Sequence, residues 1–186
     1  AASRLGRVPA VLEAAKANAQ GLGQLSAERV REEWFKGIAT AVRVSKLLDL
    51  WMDIGAARIW LPEVGRDWGQ GKGQLNKLPR DPVLITAYLA TDPASLLTRL
   101  KCSNKDIERG RAIGQWRDTY PDAKGPAAVR RWLSQVGDYV DDLLTLAPDG
   151  VAKAVAQGRA TSPPLALKDL AVKGDDLIAA GVRPGP

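Results

Sequence analysis

The chain has 186 residues, of which 45% are hydrophobic and 26% charged, enough to bury a core in one large or two small domains. It has no histidine and a single cysteine, Cys102. That composition excludes an internal disulfide, a thiolate zinc site, histidine metal sites and histidine general bases. The formal charge is +6 and the excess lies at the front: residues 1–80 carry 13 Lys or Arg against 8 acids, whereas residues 125–186 carry 7 of each. A basic front suits a polyanion lying along one side, and it equally serves plain solubility. No apolar run is long enough to span a bilayer, and the start AASRLGRVPA lacks the regions of a secretory signal, so the sequence reads as soluble and cytoplasmic. Its only methionine is Met52, so the sequence is expected to be the trimmed or ordered part of something longer.

In chain order, Pro9 opens a predicted helix to about Asn18, and Gly21-Leu-Gly23 breaks it. Ser26 then caps the clearest helix, Ser26 to Val42, with Glu28 in the first turn where the helix dipole favours a carboxylate. Ala27, Val30, Trp34, Ile38 and Ala41 recur at helical spacing, widened by Phe35 and Val42, while Glu32 and Lys36 fall on the wet face. Ser45 reads as the cap of SKLLDLWMDI, which buries Leu47, Leu48, Trp51 and Met52 and stops at Gly55. An extended or tightly turned connection is expected through Ile59, Trp60, Leu61 and Pro62.

Trp68 to Arg80, WGQGKGQLNKLPR, has three glycines, Lys72, Lys77 and Arg80, and no acid. It reads either as a flexible basic loop that wraps phosphate, with Trp68 stacking on a base, or as a solvated connection. Its glycine and lysine spacing does not fit a nucleotide-binding P-loop. Asp81-Pro82 and Asp92-Pro93 are two helix starts, and Ser103 with Asp106 opens a third helix through Trp116. Lys101, Lys105 and Arg109 lie four apart and predict a basic ridge beside Trp116.

Gly125-Pro126 begins a long helical run with Arg130 and Arg131 on its exposed side, divided at Gly137. Asp138, Asp141 and Asp142 read as an exposed acidic face, because no glycine-turned loop holds them as a cation site would. Pro148 to Gln157 is a short helix, and Asp175 opens another that Gly181 and Val182 close in a Schellman turn. No stretch alternates with period two, so the fold class is all-α, an irregular bundle of short helices.

The run Glu28-Arg29-x-x-x-Glu33-Trp34 resembles the Glu-Arg-x-x-x-Glu-Leu element of the class II tRNA nucleotidyltransferase and poly(A) polymerase family, with Trp34 in place of Leu. Ala1 to Gly6 resembles the end of the preceding helix in that family, Trp60 to Val64 its Leu-Pro-Glu turn, and Leu167 to Pro186 its carboxy-terminal tail. The resemblance implies a neck, body and tail: residues 1–60 as the end of the neck, 61–146 as the body, and 147–186 as the tail with a partial helical hairpin. It implies an enzyme that transfers CMP or AMP to RNA 3′ ends. The catalytic head, with its Gly-Ser motif, Asp-x-Asp pair, Mg²⁺ and ATP or CTP, would belong to the parent in cis.

This sequence contains neither Gly-Ser nor Asp-x-Asp, so no catalytic residue, metal or cofactor is assigned to it. Its expected partner is tRNA or another RNA 3′ end, and no membrane. Glu28, Arg29 and Glu33 are expected to form a structural brace. Lys72, Lys77, Arg80, Lys105, Arg109, Arg130, Arg131 and Arg183 are the candidate RNA contacts, with backbone N–H groups of Gly181 to Gly185 joining Arg183 at the hairpin. Two other classes fit the same composition: a stand-alone, non-enzymatic nucleic-acid-binding module whose carboxy terminus resembles a helix-hairpin-helix, and a purely structural helical domain.

Overall fold

The computed structural model describes residues 13–64, 73–122, 125–161, 164, 165, 169 and 171–183. Among them the secondary structure is helical, and one isolated antiparallel bridge, Val64 to Ala90, extends into no sheet. The all-α expectation therefore holds. The chain forms two compact units, Ala1–Thr119 with Asp141–Leu146, and Tyr120–Val140 with Ala147–Pro186.

In the first unit, residues 13–17 are helical and a 3-10 helix spans Ala19–Gln24. Helix α1, Ala27–Thr40, is capped as its sequence predicts, since the Arg29 N–H donates to Ser26 Oγ at 3.3 Å. Val30, Trp34 and Ile38 are its buried face. The helix ends two residues earlier than predicted, and Val42 is 90% exposed instead of joining that stripe.

Helix α2, Val44–Asp53, takes Arg43 as its N-cap residue, not Ser45. Ser45 lies inside the first turn and is buried; its N–H donates to Asn76 Oδ1 at 3.2 Å, and the Asn76 amide donates back to Ser45 Oγ at 3.0 Å. Asn76 thus performs, from 31 positions away, the capping that no local side chain supplies. Gly55 stops α2 at φ 79°, a conformation costly for any residue with a Cβ. Ile59 and Trp60, expected in an extended connection, lie instead in the short helix α3, Ala56–Trp60.

Helices α4, Pro82–Leu89, and α5, Pro93–Arg99, both begin as predicted, with Asp81 accepting from the Leu84 N–H at 2.9 Å and Asp92 from the Ser95 N–H at 3.0 Å. Hydrogen bonds from the Ser95 hydroxyl and N–H hold the Asp92 carboxyl below the usual carboxylate range. Val83, Leu84, Ile85, Thr86, Ala87 and Leu89 are all buried, so α4 is covered on every side and the unit is built around it. Trp34 Nε1 donates to Thr86 Oγ1 at 2.9 Å, both residues fully buried, which fixes α1 against α4.

The carboxy-terminal carbonyls of α4 have no intrahelical donors and end against the buried Arg117. Its guanidinium donates to the Ala87 and Tyr88 oxygens. Helix α6, Asn104–Trp116, begins with Ser103 accepting from the Asp106 N–H and donating its hydroxyl to the Asp106 carboxylate. It packs closely on α5: a Cβ at Gly114 would fall 2.8 Å from Cγ of the rigid Pro93 ring.

The Leu61-Pro62-Glu63 turn is fixed by non-local bonds. Thr91 donates its N–H to the Glu63 carbonyl at 2.8 Å and its hydroxyl to the same oxygen at 3.1 Å, and Arg99 forks both carboxylate oxygens of Glu63. Those bonds raise the Arg99 guanidinium pKa.

After α5 the chain turns through Lys101 at φ 55°, with the Cys102 N–H bonded to Leu97 O at 3.0 Å. This is the helix-ending turn in which glycine is usual. Lys101→Gly should therefore raise the unfolding free energy by about 0.5 to 1 kcal/mol, the left-handed strain of a lysine exceeding the chain entropy of a glycine. A urea midpoint that falls instead would show that the lysine side chain contributes more than its backbone costs. Burial pushes the nearby Cys102 thiol up to about 11, so it is a poor nucleophile at neutral pH.

In the second unit α7, Pro126–Val136, ends at Gly137, φ 62°, where a single 3-10 turn interrupts the helical run as the sequence predicts; the next helix, α8, Val140–Leu144, belongs to the first unit from Asp141 onward. Val129 and Leu133 of α7 close over Gly158 of α9, Val151–Ala160, so that a Cβ at Gly158 would come within 2.8 Å of Val129 Cγ1. The last described helix, α10, is Gly174–Ala179.

Candidate nucleic-acid interface

Charge in the first unit is arranged by what the loops bond to. Residues 73–80, read from sequence as a flexible loop or a solvated connection, are seated on α2: Leu75 and Leu78 are buried in the core that also contains Val44 and Leu48. Asn76 is bonded to Ser45, and Arg80 Nη2 donates to the Val42 carbonyl at 2.8 Å. Lys77 stands exposed between these anchors. Arg80 is half-buried, and its Nη1 is covered without a hydrogen-bond partner among the described residues. Lys72 and Trp68, placed in the same stretch, lie outside the described residues.

The expected ridge of Lys101, Lys105 and Arg109 is not formed. Lys101 precedes α6 in its left-handed turn, and Arg109 faces inward. Arg109 Nε and Nη2 donate to Asp142 at 2.7 and 2.6 Å, and Nη2 also donates to Asp81 at 2.7 Å. Its hydrogen bonds to Asp142, outweighing burial and joined by those to Asp81, raise the guanidinium pKa above its already high value. Arg109 is therefore a tie between three segments, and Lys105 alone of the trio is an exposed helical cation. The same bond removes Asp142 from the expected exposed acidic face.

Glu28, Arg29 and Glu33 are exposed on α1, and among the described residues their side chains make no hydrogen bond or ion pair. Arg29 and Glu33 border an open cavity of about 210 Å³ whose other walls include Leu22, Leu25, Trp51, Ile54 and Trp60. Trp60 is held there by its Nε1 donating to the Leu22 carbonyl at 2.8 Å.

In the second unit Arg130 and Arg131 are exposed on α7, and Arg183 is exposed beyond α10. The predicted Schellman turn is formed, with Gly181 at φ 89°, its N–H bonded to Ile178 O, and the Val182 N–H bonded to Leu177 O, each at 2.9 Å. Those two N–H groups are engaged within the turn and are not available to a phosphate, which corrects the expectation that Gly181 would offer one. Leu177, Ile178 and Val182 are about half exposed.

Two cations that the sequence reading passed over belong with Lys77 and Arg80: Arg43, at the N-cap of α2, and Lys46, one turn on, both exposed. The available signal is the acid-free run from Trp34 to Leu48. Among the described residues no helix is long and apolar enough to cross a membrane. No protein-family model matches the chain, and no curated protein matches it.

Proposed function

We propose that the chain is the RNA-binding portion of a template-independent nucleotidyltransferase of the class II tRNA nucleotidyltransferase and poly(A) polymerase type, its parent transferring CMP or AMP to RNA 3′ ends. The observation that carries this reading is the state of the Glu28-Arg29-x-x-x-Glu33 run: three charged side chains on a well-anchored helix, exposed and unpaired among the described residues, with two of them bordering an apolar cavity. A motif that braces another part of an enzyme has this form when viewed from one side. The Leu61-Pro62-Glu63 turn adds support, since its carboxylate and carbonyl are tied to α5 and to Thr91 and leave it a structural role.

With no Asp-x-Asp pair to hold metal ions, the chain has the binding task and not the chemical one. Purified chain given tRNA lacking its 3′ end, Mg²⁺, CTP and ATP should incorporate no nucleotide. It should bind that tRNA with an affinity falling as salt rises, by about 0.7 to 0.9 in log–log slope for each phosphate contact. Turnover that survives controls for contaminating enzyme would overturn the assignment of roles, and absence of tRNA binding at low salt would overturn the RNA reading. Sequencing the gene upstream of Ala1 tests the enzyme class independently: a strand-rich segment with Gly-Ser and Asp-x-Asp is the expected finding.

A further inference from the structure

We infer that Arg43, Lys46, Lys77 and Arg80 form one preset phosphate-binding surface for the backbone of an RNA duplex, built where residues 73–80 seat on the first turn of α2. This rests on the RNA-binding reading above and gives it a location, a residue set and a strand state. The placement is fixed by three bonds across 31 to 38 positions of sequence: the Ser45 N–H to Asn76, the Asn76 amide to Ser45, and Arg80 to the Val42 carbonyl. Burial of Leu75 and Leu78 beneath them holds the backbone that carries Lys77. Segments 42–46 and 76–80 are therefore immediate neighbours, which brings the exposed Arg43, Lys46 and Lys77 together with the half-buried charge of Arg80.

The surface is also poor in compensating charge. Neither Trp34 to Leu48 nor residues 73–80 contain an acid. The adjoining Asp81 is engaged by Arg109, and Asp49 stands 3.7 Å from Lys46 as the acid facing the cluster. Arg80 makes no ion pair among the described residues, although part of its guanidinium is covered. Cations gathered on structured elements with so little neutralisation raise the local potential and favour a polyanion.

The strand state follows from what accompanies the charge. Sequence-tolerant binding of single strands uses exposed aromatic rings on which bases stack. Among the described residues no aromatic side chain is exposed. A rigid set of cations matches the regular backbone of a duplex, whose A-form major groove hides the base edges and leaves phosphate and ribose as the accessible groups.

The test is fluorescence anisotropy with a labelled RNA hairpin duplex and a single strand of equal length, across a salt series. The variants are Arg43→Glu/Lys46→Glu and, as a control of equal charge change at exposed sites elsewhere, Arg58→Glu/Lys153→Glu. The expected result is that the first pair weakens duplex binding about tenfold and lowers the log–log salt slope by about 1.8, two contacts at 0.9 each. The control should change affinity less than threefold, and all variants should keep the wild-type urea midpoint. Wild-type duplex binding that survives Arg43→Glu/Lys46→Glu, or that falls equally in the control, overturns this surface and leaves the RNA reading in place. Wild-type preference for the single strand overturns the duplex assignment. Failure of the wild type to bind either RNA removes the RNA reading itself, and this surface with it.

Discussion

Trp34→Ala should lower the unfolding free energy by about 4 kcal/mol, the middle of the range for emptying a fully buried aromatic site. Trp34 has no exposed surface, meets the ring of Trp51 edge-on with centroids 4.9 Å apart, and donates its indole N–H to Thr86 at 2.9 Å. Alanine removes three contributions at once: the apolar surface, the packing against neighbours held by their own helices, and the bond that fixes α1 on α4. Against a typical total of about 5 to 15 kcal/mol, the variant should be marginally folded at room temperature. Urea unfolding gives the number.

A companion pair separates the hydrogen bond from the volume. Thr86→Val keeps the shape and leaves the indole N–H buried without an acceptor, which should cost about 1 to 3 kcal/mol. In Trp34→Phe/Thr86→Val both polar partners are gone, so the double variant should be less destabilised than the sum of the two singles. A loss below about 2 kcal/mol for Trp34→Ala would mean that the site collapses freely, contrary to the packed neighbours seen here.

The parts of this fold that were legible in sequence are those whose cause is local. Asp81-Pro82, Asp92-Pro93 and Ser103 begin helices because a side-chain oxygen reaches an N–H three residues on, and Gly181 closes a Schellman turn because its φ is positive; both need only a few consecutive residues. The misreadings share the opposite property. Ser45 has the right chemistry for a cap, but its partner is Asn76, and no local rule brings Asn76 there.

The central position of α4 was hidden for a related reason. Pro82 to Leu89 is apolar on all sides and has no periodic stripe to point at a core, whereas α1, amphipathic and easy to recognise, gives that core one face, Val30, Trp34 and Ile38. For the candidate site, exposure of Lys77, Lys105, Arg130, Arg131 and Arg183 agrees with their composition, since unpaired lysines and arginines stay in water. Arg117 and Arg109 broke that rule because helix-end carbonyls and two carboxylates await them at positions distant in sequence.

The inward turn of Arg109 gives a second large effect, and one with a definite pH signature. Arg109→Met keeps most of the side-chain volume and removes a charge that joins α6 to Asp81 at the start of α4 and to Asp142 in α8. Loss of one member of a well-buried ion pair costs about 3 to 5 kcal/mol; with 24% of the Arg109 side chain exposed, the lower figure of about 2 to 3 kcal/mol at pH 7 is expected. Burial alone would push the Asp81 carboxyl up, but hydrogen bonds from Arg109 and the Leu84 N–H, with the Arg109 charge, outweigh it and leave the group below the usual carboxylate range. A carboxyl whose folded pKa is depressed binds its proton more readily in the unfolded chain, so it contributes stability above the unfolded value of about 4. That contribution is lost as the pH falls through the folded pKa. The wild type should therefore lose the Asp81 part of the tie as the pH falls below the usual carboxylate range, while the variant never had it. The gap in urea midpoint between wild type and Arg109→Met should be wider at pH 7 than at pH 3. An equal gap at both pH values would assign the effect to the packing of the arginine methylenes, and a variant as stable as the wild type that binds RNA more weakly would return Arg109 to the RNA contacts.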